Sequence, residues 1–359
     1  MIQPTQDAGV LISADSHVIE PHDLWMARIP AKFKDKAPRF PPQKVGAAFQ
    51  AHAGGSDPKA RVKEMAVDGV SGEILYPSLA MEQFGLTDAA LQESCFRVYN
   101  DWLIEYCGYS LERLYGIAMI ATFDIGHAIA EMRRCKDAGM RGVLVWQVPP
   151  GKYAFSTMHY DRLWAAAQEM RMPVSLHILT GEPYAPGWMP NRQWTATEGM
   201  RHSVNKKLFF VTNTLSDLIS SGTMDRFPDL KFVLVENEVS WMPFVISQWD
   251  KYSARRNYAE PMKLLPSEYF QRQIYATFFN DPPTRSLFGD WGADNCMWSN
   301  DFPHPNSTWP DSRQIIARDL GRLPEAVRAK LVRENVCKLY GLKVAEPVSH
   351  ETTQAPRIA

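Results

Sequence analysis

The chain has 359 residues, more than the roughly 250 of a single (β/α)₈ barrel and few for two full-sized domains. Apolar residues make up 45% and charged residues 22%, the ordinary balance of a globular protein with a large core. With 39 basic against 40 acidic side chains the formal net charge is −1, which excludes a general attraction to nucleic acid or to anionic membrane.

Short β-rich runs alternate with helical stretches along the chain. Residues 10–14 (VLISA) predict a first strand running into Asp-Ser-His, and 72–77 (GEILYP) a second. Between them the Pro-rich stretch 29–50 reads as an excursion that covers the mouth of the fold. Residues 87–107 carry Leu91, Cys95, Val98, Tyr99, Trp102, Leu103 and Tyr106 at helical spacing, with Thr87 and Asp88 as capping residues. Residues 114–121 predict the third strand, 124–138 a helix closed by Gly139, and 142–146 (GVLVW) the fourth strand. A helix over 160–170 and a fifth strand over 173–178 (PVSLHI) follow. Residues 179–205, rich in Trp, Pro, Gly, Thr and Asn, read as a long loop of the kind that serves as a lid or binding segment. Helix is expected over 209–224, a sixth strand over 231–236 (KFVLVE) and helix over 241–252. Strands seven and eight fall at 274–277 (IYAT) and 295–299 (NCMWS); helices over 312–323 and 324–340 close the fold, with Gly341 as a stop.

Eight β-α units favour a closed parallel barrel over an open doubly wound sheet. No glycine-rich fingerprint follows the first strand and no G-x-x-x-x-G-K-[ST] occurs, so the Rossmann and P-loop alternatives lose their main support. The expected organisation is one metal-dependent (β/α)₈ barrel domain over 1–345, an α/β TIM barrel with extended active-site loops, followed by a polar tail over 346–359. Cys95, Cys107, Cys135, Cys296 and Cys337 are odd in number and scattered, as buried free thiols of a reducing compartment would be. Residues 1–9 are polar and no apolar run is long enough to cross a bilayer, so the expected location is the cytoplasm.

Enzymes of this architecture carry their chemistry at the C-terminal ends of the strands. Asp15 and His17, two apart after the first strand, point to one side of an extended segment, as a divalent cation needs. His177 sits in the fifth strand, where a satisfied core histidine is the alternative. Asp301 ends the eighth, either as a turn cap or, with His304 three residues on, as part of a metal or catalytic cluster.

The motif at 15–21 (DSHVIEP), the strand VSLH ending at His177, and SND-FPHP around Asp301 and His304 resemble the amidohydrolase-related group of the amidohydrolase superfamily. That group includes the aminocarboxymuconate-semialdehyde, γ-resorcylate, 5-carboxyvanillate and isoorotate decarboxylases. The resemblance runs from about residue 10 to 342 and includes FRVYNDW at 96–102 and GMRGV at 139–143. It implies that Asp15, His17, His177 and Asp301 bind a divalent metal, zinc or manganese, which activates water or polarises a substrate oxygen, with Asp301 moving a proton. Where several of the decarboxylases carry a histidine at the end of strand six, this sequence reads VENEVSW at 235–241. Glu236 can bind or bridge a metal, act as a base, or pair with an arginine, but it cannot copy a neutral imidazole.

Asp15, His17, His177, Glu236, Asp301 and His304 together make three carboxylates and three imidazoles, more than one zinc requires. The leading expectation is a hydrolase or nonoxidative decarboxylase of a small carboxylated or cyclic compound, with Asp301, Glu236 and His304 as catalytic groups. A dinuclear iron or manganese oxygenase on the same barrel is the alternative. A third reading makes the chain a barrel subunit that stabilises a catalytic partner; Asp15→Ala and His177→Ala would then leave the complex active. Expected partners are a small-molecule substrate and a second barrel subunit, identical in a homodimer or related in a hetero-oligomer, with neither nucleic acid nor membrane. Glu20 and His22, just past the first motif, read as capping or exposed residues ahead of pocket-lining ones, and Trp188, Trp194, His202 and Asn205 as substrate contacts or packing residues on or beside the long loop. His52, His127 and His159 read as structural or exposed, and His350 belongs to the tail.

Overall fold

Apolar runs that are buried on both faces pair as parallel strands covered by helices. The computed structural model describes residues 9–40, 52–181, 195–255 and 262–343. Its eight strands are β1 (Leu11–His17), β2 (Val70–Tyr76), β3 (Leu114–Met119), β4 (Gly142–Val145), β5 (Val174–His177), β6 (Phe232–Val235), β7 (Ile274–Phe278) and β8 (Cys296–Trp298). They pair in parallel in chain order, and each is buried along its whole length. Two backbone hydrogen bonds close the seam just beyond β8: Asp301 N–H donates to Asp15 O at 3.1 Å, and His17 N–H to Phe302 O at 2.7 Å. The fold is thus the expected (β/α)₈ barrel. β1 is longer than the sequence pattern suggests: Asp15 and His17 lie within the strand rather than after it, because seam pairing extends the strand past its apolar run.

The helices start where short polar side chains cap them. Asp88 accepts from Leu91 N–H ahead of Ala89–Cys107, and Asp124 accepts from His127 N–H ahead of Ile125–Asp137. Each such cap contributes about 1 kcal/mol. One long element departs from expectation. Helix Ala196–Ser220 begins well inside the stretch read as loop and ends short of 224; a separate turn, Thr223–Arg226, follows. Its start is a capping box, with Thr195 Oγ1 accepting from Glu198 N–H and Glu198 accepting from Thr195 N–H. The helices Pro58–Asp68 and Pro266–Gln273 had no counterpart in the sequence reading. The closing helical stretch breaks at Lys330–Glu334 into a π-helical turn before Asn335–Tyr340, and Gly341 ends it with a φ of +62°.

The described part of the Pro-rich excursion packs beside neighbouring helices. Lys36 pairs with Asp88 at the start of Ala89–Cys107 at 3.2 Å and Phe40 packs on Trp25, while Arg28, just ahead of the stretch, pairs with Glu105 at 2.8 Å. Residues 41–50 of the excursion, 182–194 of the expected loop (Trp188 and Trp194 included) and the tail with His350 lie outside the described residues. No helix among the described residues is long and apolar enough to cross a membrane.

Beneath the seam lies a buried polar lattice. Arg61, fully buried on the Pro58–Asp68 helix, donates to Glu73 of β2 at 2.5 Å, to His17 O at 2.7 Å and to Phe302 O at 3.3 Å. Asn300 Oδ1 accepts from the hydroxyls of Ser13 and Ser16, while its amide nitrogen donates to Glu73 and Asp68. Asp68 in turn accepts from the backbone and hydroxyl of Ser312. Each buried group finds its partner across β1, β2 and β8, so the lattice fixes the register in which Asp15, His17 and Asp301 meet.

Candidate metal centre

Strand alternation aims Asp15 and His17 into the barrel from β1, and His177 enters from the last residue of β5. Glu236, directly after β6, and Asp301, just beyond β8, hold left-handed backbone with φ of +56° and +55°. Glu238 does so too at +52°. Left-handed backbone in non-glycine residues is strained and persists where the surroundings over-determine it, as at functional sites.

The six residues singled out from the sequence converge. His17 Nε2 lies 3.3 Å from His177 Nε2, 3.5 Å from Asp15 Oδ1 and 3.3 Å from Asp301 Oδ1. His177 Nε2 is 3.8 Å from Asp15 Oδ1 and 3.7 Å from Glu236 Oε2. His304 Nδ1 is 3.1 Å from Asp301 Oδ1, its Nε2 meets Ser78 Oγ at 3.2 Å, and its ring stacks on His17. Glu236 faces His177 and has no arginine partner among the described residues.

The tautomers of the two central imidazoles follow from their outer contacts. His17 Nδ1 lies 2.7 Å from Pro77 O and His177 Nδ1 lies 2.8 Å from Ile178 O. A carbonyl oxygen only accepts, so each Nδ1 carries the proton and each Nε2 presents a lone pair to the other. Two lone pairs 3.3 Å apart repel unless an electrophile sits between them. A tetrahedral ion with bonds of about 2.0–2.1 Å sets its donors about 3.3 Å apart.

Charge balance makes the same demand. Both carboxylate oxygens of Asp15 are buried without a hydrogen-bond partner, an expensive state for an ionised group. Burial first, and then the charges of Asp301, Glu236 and Glu238, hold Asp15 well above the usual carboxylate range. Burial likewise raises Asp301, and it pushes Glu236 up to about 8 with help from the Asp301 charge. Burial depresses His17, and it lowers His177 to about 3, so both rings are neutral and suited to ligation. The donors form two groups that could each hold a cation, Asp15 with His17 and His177, and His17 with Glu236, Asp301 and His304. The potential ligand groups overlap at His17, whose single available lone pair serves one ion.

Glu236 is also the way out of the cluster. It lines a cavity of about 350 Å³ with Lys207, Glu238, Trp241 and Phe279. A larger cavity of about 610 Å³ lies at the opposite end, by Pro173, Lys231 and Tyr275 where the strands begin, and holds none of these donors.

Protons should compete with the metal. Burial holds the Asp15 and Asp301 carboxyls well above the ordinary carboxylate range, and ligation must expel any proton they hold, so metal affinity is expected to fall as pH falls. Titration of the metal-free protein should show affinity dropping about tenfold per pH unit for each displaced proton once the pH falls below the raised pKa of these carboxyls. A flat profile over that window would contradict the buried acidic cluster.

The other sequence candidates lie elsewhere. Glu20 accepts from the backbone N–H groups of Ser78, Leu79 and Ala80, capping a 3₁₀ turn, and His22 is exposed. His127 is exposed and pairs with Glu93, His159 meets Thr122 O, and His52 packs on Phe302 and Trp309. Asn205 is exposed on helix Ala196–Ser220; His202 belongs to the same helix, its side chain outside the description. Arg61, Asn300, Lys207 and Glu238 were not singled out from the sequence. Asn300, adjoining Asp301, and Glu238, within 235–241, stood in stretches that the sequence marks out for other residues.

The amidohydrolase family model matches residues 45–342 of the chain. No curated protein matches it. Among solved structures, an amidohydrolase of Mycobacterium avium subsp. paratuberculosis superposes with a TM-score of 0.76 at 19% identity, covering 93% of this chain and 99% of that one. A 2,6-dihydroxybenzoate decarboxylase from Rhizobium gives 0.67 at 20% identity, with 93% and 99% covered. A 5-carboxyvanillate decarboxylase of Novosphingobium aromaticivorans, complexed with manganese and 4-hydroxy-3-methoxy-5-nitrobenzoic acid, gives 0.67 at 16% identity, with 93% and 96% covered. At these identities the likeness is one of fold.

Proposed function

The chain belongs to the amidohydrolase family, and from that footing we propose that it is a metal-dependent nonoxidative decarboxylase of a small ring carboxylate. The observation that carries this reading is a neutral-imidazole and carboxylate donor set beside proton-holding acids, at the end of a cavity of about 350 Å³. The similar fold of manganese-containing and ring-acid decarboxylases supports it.

A divalent metal bound there supplies Lewis-acid polarisation of a substrate oxygen. The protein's own groups do the rest. His17 and His177 stay neutral through their Nδ1–H bonds to backbone carbonyls and keep their Nε2 atoms aimed at the centre. When CO₂ leaves, the ring carbon that loses it must gain a proton. Asp301 and Glu236, both raised above the ordinary carboxylate range, are the groups placed to hold and deliver that proton. His304, in contact with Asp301 on one side and Ser78 on the other, is placed to restore it.

The test is CO₂ release by manganese-loaded protein from a panel of hydroxylated and carboxylated benzoic acids, including 2,6-dihydroxybenzoate and 5-carboxyvanillate. Release above buffer is expected, and Glu236→Gln is expected to lower kcat by about 10²-fold or more while retaining its metal, as for loss of a general acid. Hydrolysis of lactones or amides with no CO₂ from any ring acid would replace decarboxylation with hydrolysis on the same centre.

A further inference from the structure

His17 and His177 stand on β1 and β5, opposite walls of an eight-stranded barrel, and their Nε2 atoms meet at 3.3 Å across its interior. Each ring has one polar anchor, its Nδ1–H bond to a backbone carbonyl, and each anchor lies on its own side of the barrel. Neither anchor sets the distance between the two walls. The next layer of side chains down does. Alternation puts Ser175, two residues before His177, on the same inward face. Tyr76, the last residue of β2, reaches across to that layer, where its hydroxyl meets Ser175 Oγ at 2.9 Å. On the way its ring lies 5.5 Å from that of His177 and 6.3 Å from that of His17, centroid to centroid. Both spacings fall in the range of about 4.5–7 Å that aromatic pairs favour.

The main chain of the same segment holds the other imidazole. Tyr76 O accepts from Val18 N–H at 3.0 Å, and Pro77 O accepts from His17 Nδ1–H at 2.7 Å. A further bond braces Tyr76 from the far end of the barrel. Tyr340, the last residue of the closing helix Asn335–Tyr340, enters beside Gly142 at the start of β4 and brings its hydroxyl to 3.2 Å from that of Tyr76. A phenol hydroxyl both donates and accepts, so Tyr76 can serve both partners at once. All three hydroxyl-bearing residues are buried, and none takes part in the chemistry above. We propose that Tyr76 is a positioning residue for the metal centre: by bridging β2 to β5 one layer under the donors it sets the separation of His17 and His177, and through Tyr340 it ties that separation to the closing helix. The inference rests on the metal centre and holds whichever reaction the centre performs.

The test loads metal-free protein with cobalt(II), whose visible absorption reports the geometry of its ligands, in the wild type, Tyr76→Phe, Tyr340→Phe and the double variant. Tyr76→Phe keeps the ring and removes the bridge. It should change the cobalt(II) spectrum and weaken cobalt affinity, measured against a calibrated chelator, about tenfold, the lower end of the loss when an outer partner of a metal ligand is removed. Tyr340→Phe should move the spectrum the same way with a smaller loss of affinity. The double variant should lose no more than Tyr76→Phe alone, because the second change acts through the first. A mere packing role lowers the unfolding midpoint and leaves the centre as it was. A spectrum like that of the wild type in Tyr76→Phe, with affinity within about twofold, would therefore overturn the proposal. Additive losses in the double variant would overturn the link to the closing helix. If Tyr76→Phe does not fold, Ser175→Ala breaks the same bond from the other side and carries the same expectations. No readout depends on CO₂, so failure of the decarboxylase reading shows separately, as metal-loaded protein that releases none.

Discussion

His177→Ala is expected to cost the protein its metal and, with it, all measurable turnover. His177 Nε2 faces His17 Nε2 at the centre, and the contact of its Nδ1 with Ile178 O holds the ring in that direction. Loss of residues that merely orient a metal ligand commonly weakens metal affinity 10–100-fold, so loss of the ligand itself should exceed about 100-fold. Dialysis against a calibrated chelator measures it. Retention of metal within about tenfold of the wild type would move His177 out of the ligand set and back to an ordinary core histidine.

The second large effect belongs to stability. Arg61 is fully buried, pairs with Glu73, and ties the carbonyls of His17 and Phe302 across the barrel seam. Arg61→Met leaves the Glu73 charge buried without its cation, a change expected to destabilise by about 3–5 kcal/mol. Arg61→Met/Glu73→Leu should recover a large part of that loss, because a well-packed apolar pair avoids the desolvation penalty. Denaturant unfolding of the three proteins decides the matter: a single variant within about 1 kcal/mol of wild type would show that the seam does not depend on this pair. The Arg61 variant should also lose metal affinity, since Arg61 holds the backbone of His17.

The two effects show what the sequence could and could not reveal. Asp15, His17, His177 and Asp301 were legible because strand alternation and strand-end position are local properties that the apolar pattern marks out. The place of Glu236 beside His177, rather than against an arginine, depends on a left-handed turn after β6 that no local pattern specifies. Arg61 was hidden for a different reason. Its helix, Pro58–Asp68, buries a charged side chain on its inner face, so the helical spacing of apolar residues is interrupted where the helix matters most. Asn300 shows no local sign of its role, because its contacts to Ser13 and Asp68 span more than two hundred positions of chain. Lys207 was lost with the start of its helix, where Met200, Val204 and Leu208 are exposed instead of packed. The capping box at Thr195 and Glu198 was the one local sign of that start.

The central claim is that one ion is held by Asp15, His17, His177 and Asp301, with Glu236 beside it as a proton carrier. Elemental analysis of the purified protein, metals per chain, alongside Glu236→Gln, tests it most directly. The account predicts about one divalent ion per chain in both proteins, because His17 Nε2 can serve only one. About two ions per chain including iron, with one lost in the Glu236 variant, would contradict it and favour a dinuclear oxygenase on the same barrel.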